Sequence, residues 1–146
     1  MADQDPLGHA RLCAIRSDGT VLWRHSFTST NGCPPVGNMG ALTYWWPGHF
    51  RTQEHLDVFV NVRRGPMHSD VGYMLDGRDG QLVWTKEKAV APGVFNWGYA
   101  GTTTAVADMN DDGHDDLISL FPVCFWIADG RTGNFFAARS FAVPTP

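Results

Sequence analysis

The sequence predicts an all-β chain built from repeated antiparallel sheets, and three observations carry that prediction. Glycine (16) and proline (9) are abundant among the 146 residues, and both are costly inside helices but at home in turns. No segment places apolar residues at helical spacing over ten or more positions, whereas short apolar runs bounded by Gly-containing polar turns recur along the chain. The third observation is internal repetition. Ser17-Asp18-Gly19-Thr20-Val21-Leu22-Trp23 aligns with Arg78-Asp79-Gly80-Gln81-Leu82-Val83-Trp84 and with Arg131-Thr132-Gly133-Asn134-Phe135-Phe136-Ala137, each a polar turn, a glycine and an apolar strand. A second register agrees with the first: Val36-x-Asn38-x-Gly40 matches Val94-x-Asn96-x-Gly98, and Asp57-Val58-Phe59 matches Asp116-Leu117-Ile118. Repeats of this length containing several strands point to β-propeller blades, here about two to three four-stranded sheets, with a β-sandwich as the competing architecture.

The elements follow in order. Ala14-Ile15, Tyr73-Met74-Leu75 and Trp126-Ile127-Ala128 each precede a polar turn and a second apolar run. That is a hairpin signal, because glycine supplies the positive φ such turns require. Strands are expected at 11–16, 20–27, 56–62, 71–76, 81–86, 102–107, 116–121, 124–128 and 134–142, in one domain with units near 1–40, 41–98 and 99–146. The Ser-, Asn-, Gly- and Pro-rich stretch 28–40 reads as a long connection and 64–70 as an extended loop. The aromatic stretch Tyr44-Trp45-Trp46-Pro47-Gly48-His49-Phe50 is expected to pack between neighbouring sheets, and Trp23, Trp84, Trp97 and Trp126 to be core residues.

Composition excludes several function classes. With 11 Lys+Arg against 15 Asp+Glu the net charge is −4, and no basic stripe is present to hold a phosphate backbone, so nucleic acid is not an expected partner. Hydrophobic residues make up 43% and charged residues 18%, which excludes a disordered charged tail. The N-terminal residues show neither a basic nor an apolar signal-peptide region, and no apolar run is long enough to span a membrane. Cys13, Cys33 and Cys124 lack CxxC spacing, allow at most one bridge, and are expected as buried thiols. The six histidines show no metal-binding or protease spacing, and no GxSxG, P-loop or GxGxxG occurs. Glu54, Asp57 and Asp70 are the nearest candidates for an acid–base pair.

One segment carries chemistry. Asp108-Met109-Asn110-Asp111-Asp112-Gly113-His114-Asp115-Asp116 holds five of the chain's 15 acidic residues. Oxygen-bearing side chains at alternate positions of a tight loop converge on one point, and the glycine permits the reversal between them. Ca²⁺ takes six to eight hard oxygen ligands in flexible geometry, whereas Mg²⁺ demands a near-octahedral shell. Asp108, Asn110, Asp112 and Asp116 are the expected side-chain ligands, with His114 contributing its carbonyl, while Asp111 and Asp115 point away. An EF-hand is excluded because Ser119 stands where that motif needs a bidentate glutamate, and a strand, Leu117 to Phe121, follows. The competing reading is a metal-free polar hairpin held by Asx turns.

The loop and strand from Asp108 to Leu120 resemble the calcium loop of FG-GAP/VCBS repeats, and Leu75 to Trp84 and Ala128 to Gly133 resemble the blade-closing hairpin of quinoprotein-like (PQQ-like) propeller repeats. The resemblance implies a propeller with structural Ca²⁺ in blade loops and an extracellular or periplasmic setting. The pattern also departs from that family. Thr52-Gln53-Glu54-His55-Leu56-Asp57 lacks most of the acids, so no metal is expected there. Phe136-Ala137 stands where a docking tryptophan belongs, and Asp3-x-Asp5-x-x-Gly8 is a decayed loop. Because closed propellers need at least four blades, the chain is expected to complete a ring or stack with other copies or adjacent blades. The expected function is non-enzymatic, a calcium-stabilised module for binding a protein or carbohydrate or for assembly. The alternative is a fragment of a calcium-dependent polysaccharide lyase or a quinoprotein dehydrogenase.

Overall fold

A computed structural model describes residues 2–4, 10–27, 41–64, 69–87, 103–121 and 124–140, and all regular structure among them is β. The strands are β1 (Ala2–Gln4), β2 (Ala10–Ile15), β3 (Val21–Ser26), β4 (Ala41–Gly48), β5 (Asp57–Arg64), β6 (Ser69–Leu75), β7 (Leu82–Glu87), β8 (Thr103–Ala107), β9 (Asp116–Phe121), β10 (Cys124–Ala128) and β11 (Phe135–Ser140). They form three antiparallel sheets in which neighbours in sequence are neighbours in space: β1–β3, β4–β7 and β8–β11. Nothing among the described residues closes these sheets into a ring. No helix among them is long and apolar enough to cross a membrane.

Two strands, β1 and β4, are absent from the sequence expectation. β4 runs through the aromatic stretch, and Pro47 pairs with Val58 inside it. Proline is tolerated there because β4 lies at the edge of its sheet, where one side of the strand donates to no neighbour. The loop expected at 64–70 is shorter: Arg64 ends β5 and pairs with Ser69 at the start of β6. The expected connection 28–40, Trp97 and the decayed loop at Asp5 to Gly8 lie outside the described residues. Cys13 is a buried thiol.

The middle sheet is apolar on both faces because it is covered on both. Val60, Val62, Val71, Tyr73 and Leu75 face the first sheet and pack with Ala10, Leu12, Trp23 and Phe27. The intervening Phe59 and Met74 face the third sheet and pack with Phe50, Leu117, Trp126 and Ala128. This is the two-residue period of a strand read from both sides. The aromatic stretch divides accordingly: Tyr44 and Trp46 pack against the second cluster and Phe50 is fully buried, but Trp45 is 44% exposed.

A repeated joint locks each sheet to the next. Trp23 of β3 donates its indole N–H to the Gly77 carbonyl at 2.8 Å, and Trp84 of β7 donates to the Gly130 carbonyl at 3.0 Å. Each ring lies close against the glycine three residues further on. A Cβ at Gly80 would sit 2.6 Å from the Trp23 ring, and one at Gly133 would sit 3.0 Å from Trp84. The residue two beyond each tryptophan adds a bond, His25 Nδ1 to the Gly80 carbonyl at 2.9 Å and Lys86 Nζ to Asn134 Oδ1 at 3.0 Å. The joint does not extend outward. The first turn closes by Gly19 N–H to Arg16 O, one residue tighter than Gly80 to Asp76 or Gly133 to Asp129. In the alignment of the three turns, Arg16 stands where the other two carry the accepting glycine. At the other end Ala137 occupies the tryptophan position.

Candidate metal centre

Two loops of equal length occupy equivalent places in the second and third sheets. Residues 49–56 connect β4 to β5, and residues 108–115 connect β8 to β9. Each ends on a buried aspartate that opens its strand, Asp57 (0% exposed) and Asp116 (1%). Each carries a histidine two residues earlier, His55 and His114. Each also lies under the next hairpin turn of its own sheet. A Cβ at Gly77 would strike the Leu56 carbonyl oxygen at 1.8 Å, and one at Gly130 the Asp115 carbonyl oxygen at 2.3 Å. The Asp-Gly pair that heads both turns is thus required by backbone contact: the glycine admits the loop, and the aspartate before it faces the same polar space.

In the middle sheet that space holds a resident cation. Arg51 grips Asp57 with two bonds, Nε to Oδ2 at 2.8 Å and Nη2 to Oδ1 at 2.6 Å, and reaches Asp76 Oδ2 at 2.7 Å. Arg78 grips Asp76 from its own turn, Nη2 to Oδ2 at 2.7 Å and Nε to Oδ1 at 3.0 Å. The Arg78 hydrogen bonds, followed by those of Arg51, hold the Asp76 carboxyl well below the usual carboxylate range, and the Asp57 hydrogen bonds raise the Arg51 guanidinium further above its ordinary value. His55, Asp57 and Asp76 bring ligand atoms within 4.8 Å of one another, which is metal-site spacing. Two carboxylates met by two guanidinium groups leave no charge for a divalent ion to neutralise.

The third sheet has the same frame with different residues. Where Arg51 and Gln53 stand in the middle loop, the third has Asn110 and Asp112, and Asp108 takes the place of His49. The loop folds around Asp108, which accepts the Gly113 N–H at 2.8 Å, Asp112 N–H at 3.2 Å and Asn110 N–H at 3.3 Å. These bonds, Gly113 foremost, lower its carboxyl below the ordinary value. Asn110 Oδ1 accepts Asp112 N–H at 3.0 Å, and Asp112 Oδ1 accepts His114 N–H at 3.0 Å. Gly113 sits at φ +83, a conformation that favours glycine. Asp116 Oδ2 accepts the Met109 N–H at 3.0 Å. Burial pushes the Asp116 carboxyl up, and the charges of Asp112 and Asp129 push it further. The one guanidinium bonded to the loop carboxylates among the described residues is Arg131, with Nη2 2.6 Å from Asp112 Oδ2.

The five residues expected as ligands, Asp108, Asn110, Asp112, His114 and Asp116, lie in one short loop held by successive Asx-type bonds, but among the described residues only His55, Asp57 and Asp76 bring ligand atoms within 4.8 Å of one another. The donors of the acidic loop are hard oxygens, the chemistry Ca²⁺ takes, and a buried carboxylate among like charges is the place where added positive charge is worth most. His114 Nδ1 is buried with no hydrogen-bond partner among the described residues. Asp111 is exposed, and Asp115 turns away from the loop to accept His49 N–H at 2.6 Å while its own N–H bonds the His49 carbonyl at 3.1 Å. Gln53 adds a bond from its amide to the Gly113 carbonyl, so the middle loop also braces the acidic one. Among the acid–base candidates, Asp57 is consumed by Arg51, Glu54 is exposed, and the Asp70 side chain lies outside the described residues.

Arg51 and Arg131 escaped the sequence reading. A signal for Arg51 was present: the offset that aligns Asp57 with Asp116 also aligns Arg51 with Asn110, a cation opposite a proposed cation ligand. Comparison of the chain with known protein families, with characterised proteins and with solved structures found no match.

Proposed function

We propose that this chain is a calcium-stabilised β-propeller repeat module for binding or assembly outside the cell, with the ion held by Asp108, Asn110, Asp112, the His114 carbonyl and Asp116. The observation that carries the reading is the substitution of an acidic loop for an arginine-filled one on the same frame. The middle loop neutralises its buried aspartate with Arg51. The third loop replaces that cation with Asn110 and leaves the buried Asp116 beside the charges of Asp112 and Asp129; Arg131 offsets part of this at Asp112, and a cation from solution would offset more. Structural calcium of this kind suits a compartment where the ion is abundant.

Each sheet is a four-stranded or three-stranded meander docked face to face on the next, which supports the blade reading. Ring completion would require further sheets, from another copy or from flanking sequence. Those contacts would differ from the two internal joints, because Ala137 replaces the tryptophan at one end and the first turn is one residue tighter at the other.

The test is thermal or urea unfolding in calcium and in EDTA. A ligand that binds only the folded state stabilises it by about 2.7 kcal/mol at a hundredfold excess over its dissociation constant. Asp112→Ala is expected to remove most of the calcium response. Identical unfolding of the wild type in calcium and in EDTA would refute the site.

A further inference from the structure

The turn arginines of the two complete hairpins behave differently, and the difference bears on how the acidic loop takes its ion; the inference rests on the calcium reading above. Arg78 holds the aspartate of its own turn, with Nη2 2.7 Å from Asp76 Oδ2. Arg131 occupies the equivalent place, yet its Nη2 lies 3.7 Å from its own Asp129 Oδ2 and 2.6 Å from Asp112 Oδ2 in the acidic loop. Sequence explains the choice. The position matching Asp112 in the middle loop is Gln53, so Arg78 has no second carboxylate to reach.

Arg131 also holds the oxygen that matters. Asp112 Oδ1 is turned to the His114 N–H, so Oδ2 is the oxygen left to face an ion, and it is the one the guanidinium occupies. Both side chains are partly exposed, Arg131 by 43% and Asp112 by 26%. Exposed pairs of this kind exchange partners at small cost. A guanidinium and a divalent ion on one carboxylate repel each other, whereas Asp129 lies within a small movement of the same nitrogen. Asp129 Oδ1 already accepts the Arg131 N–H at 2.8 Å and the Thr132 N–H at 3.0 Å, so the turn is built to receive the side chain as Asp76 receives Arg78.

We infer that Arg131 is an intramolecular competitor for the divalent ion on Asp112, with Asp129 of its own turn as the alternative partner to which an ion would displace it. The consequence reaches the joint between sheets. The turn that Arg131 would clasp carries the Gly130 carbonyl that accepts the Trp84 indole and the Gly133 surface on which that ring lies. Ion binding thus firms the contact of the third sheet with the second.

Isothermal titration with CaCl₂ at low salt, on the full chain and its Arg131→Gln and Arg131→Lys variants, tests this. Arg131→Gln is expected to bind about 2- to 5-fold tighter than wild type, Arg131→Lys to stay near wild type, and added salt to shrink the difference. Hydrogen exchange supplies a second readout: calcium should slow exchange in the turn 129–134 of wild type and do so less in Arg131→Gln. If wild type binds calcium and Arg131→Gln binds it equally or more weakly, the competitor role is overturned and the calcium site stands. If neither binds, the calcium reading fails and the competitor role fails with it. Binding by Arg131→Gln alone would support the competitor role and show that the native guanidinium keeps the ion out.

Discussion

Asp57 and Asp116 open equivalent strands, are equally buried, and sit beneath equivalent Asp-Gly turns. They differ in what stands opposite. Asp57 faces a guanidinium that the chain carries itself, and Asp116 faces further carboxylates. One frame therefore meets a buried negative charge in two ways: a covalently attached cation, permanent and independent of the medium, or a set of oxygens that, in the reading proposed above, takes an ion from solution. The first makes stability independent of the medium, and under the calcium proposal the second would make the third sheet responsive to its surroundings.

The largest expected effect comes from breaking the self-contained solution. Arg51→Met strands Asp57 and leaves Asp76 with Arg78 alone. Removing one partner of a fully buried pair costs about 3–5 kcal/mol. Because Arg51 is 27% exposed, a loss of about 2–4 kcal/mol in urea unfolding is expected, and it should be the same in calcium and in EDTA. A loss below about 0.5 kcal/mol, the size of an ordinary surface change, would mean that Arg51 is not the cation of this loop.

A paired substitution sharpens the contrast. Asp57→Asn should destabilise by about 1–2 kcal/mol, since Arg51 loses its charged partner. Asp116→Asn measured in EDTA should leave stability unchanged or raise it by up to about 1 kcal/mol, since it removes a buried charge that is met by backbone N–H groups but by no cationic side chain among the described residues. The same variant should lose its response to calcium. Effects of the same sign and size in EDTA would dissolve the distinction between the loops.

The smallest effect is the pH dependence. Asp76 has its folded value depressed, so its contribution is present above the unfolded value of about 3.9 and is lost as pH falls through the folded value. The stability gap between wild type and Asp76→Asn should therefore be constant near neutrality and close only in strong acid. Asp116 is raised, so its sign is opposite: its contribution is present below about 3.9 and is lost as pH rises through the folded value. In EDTA, Asp116→Asn should remove that loss. Urea midpoints collected from neutral to acid pH distinguish the two slopes.

Much of this was legible before any coordinates. The hairpins at Gly19, Gly80 and Gly133, their strands and the acidic loop are local patterns, each set by a few consecutive residues. β4 was not legible because Pro47 argues against a strand everywhere but at a sheet edge, and the edge position is set only by the pairing with β5. The role of Arg51 was not legible because its partners come from two directions, six residues ahead at Asp57 and across the hairpin at Asp76. The division of Tyr44, Trp45, Trp46 and Phe50 between core and surface likewise depends on which sheet covers which face.

The order of residues alone determined that this chain makes turns and strands in a repeated rhythm and that one loop concentrates oxygen ligands, because spacing and glycine placement act over short range. Only the packed structure decided that two loops of different composition share one frame, that a guanidinium fills one of them, and that Arg131 prefers a neighbouring loop to its own turn. Charge compensation in a buried space depends on distances of a few ångströms between segments far apart in the chain, and those distances exist only once the sheets have docked.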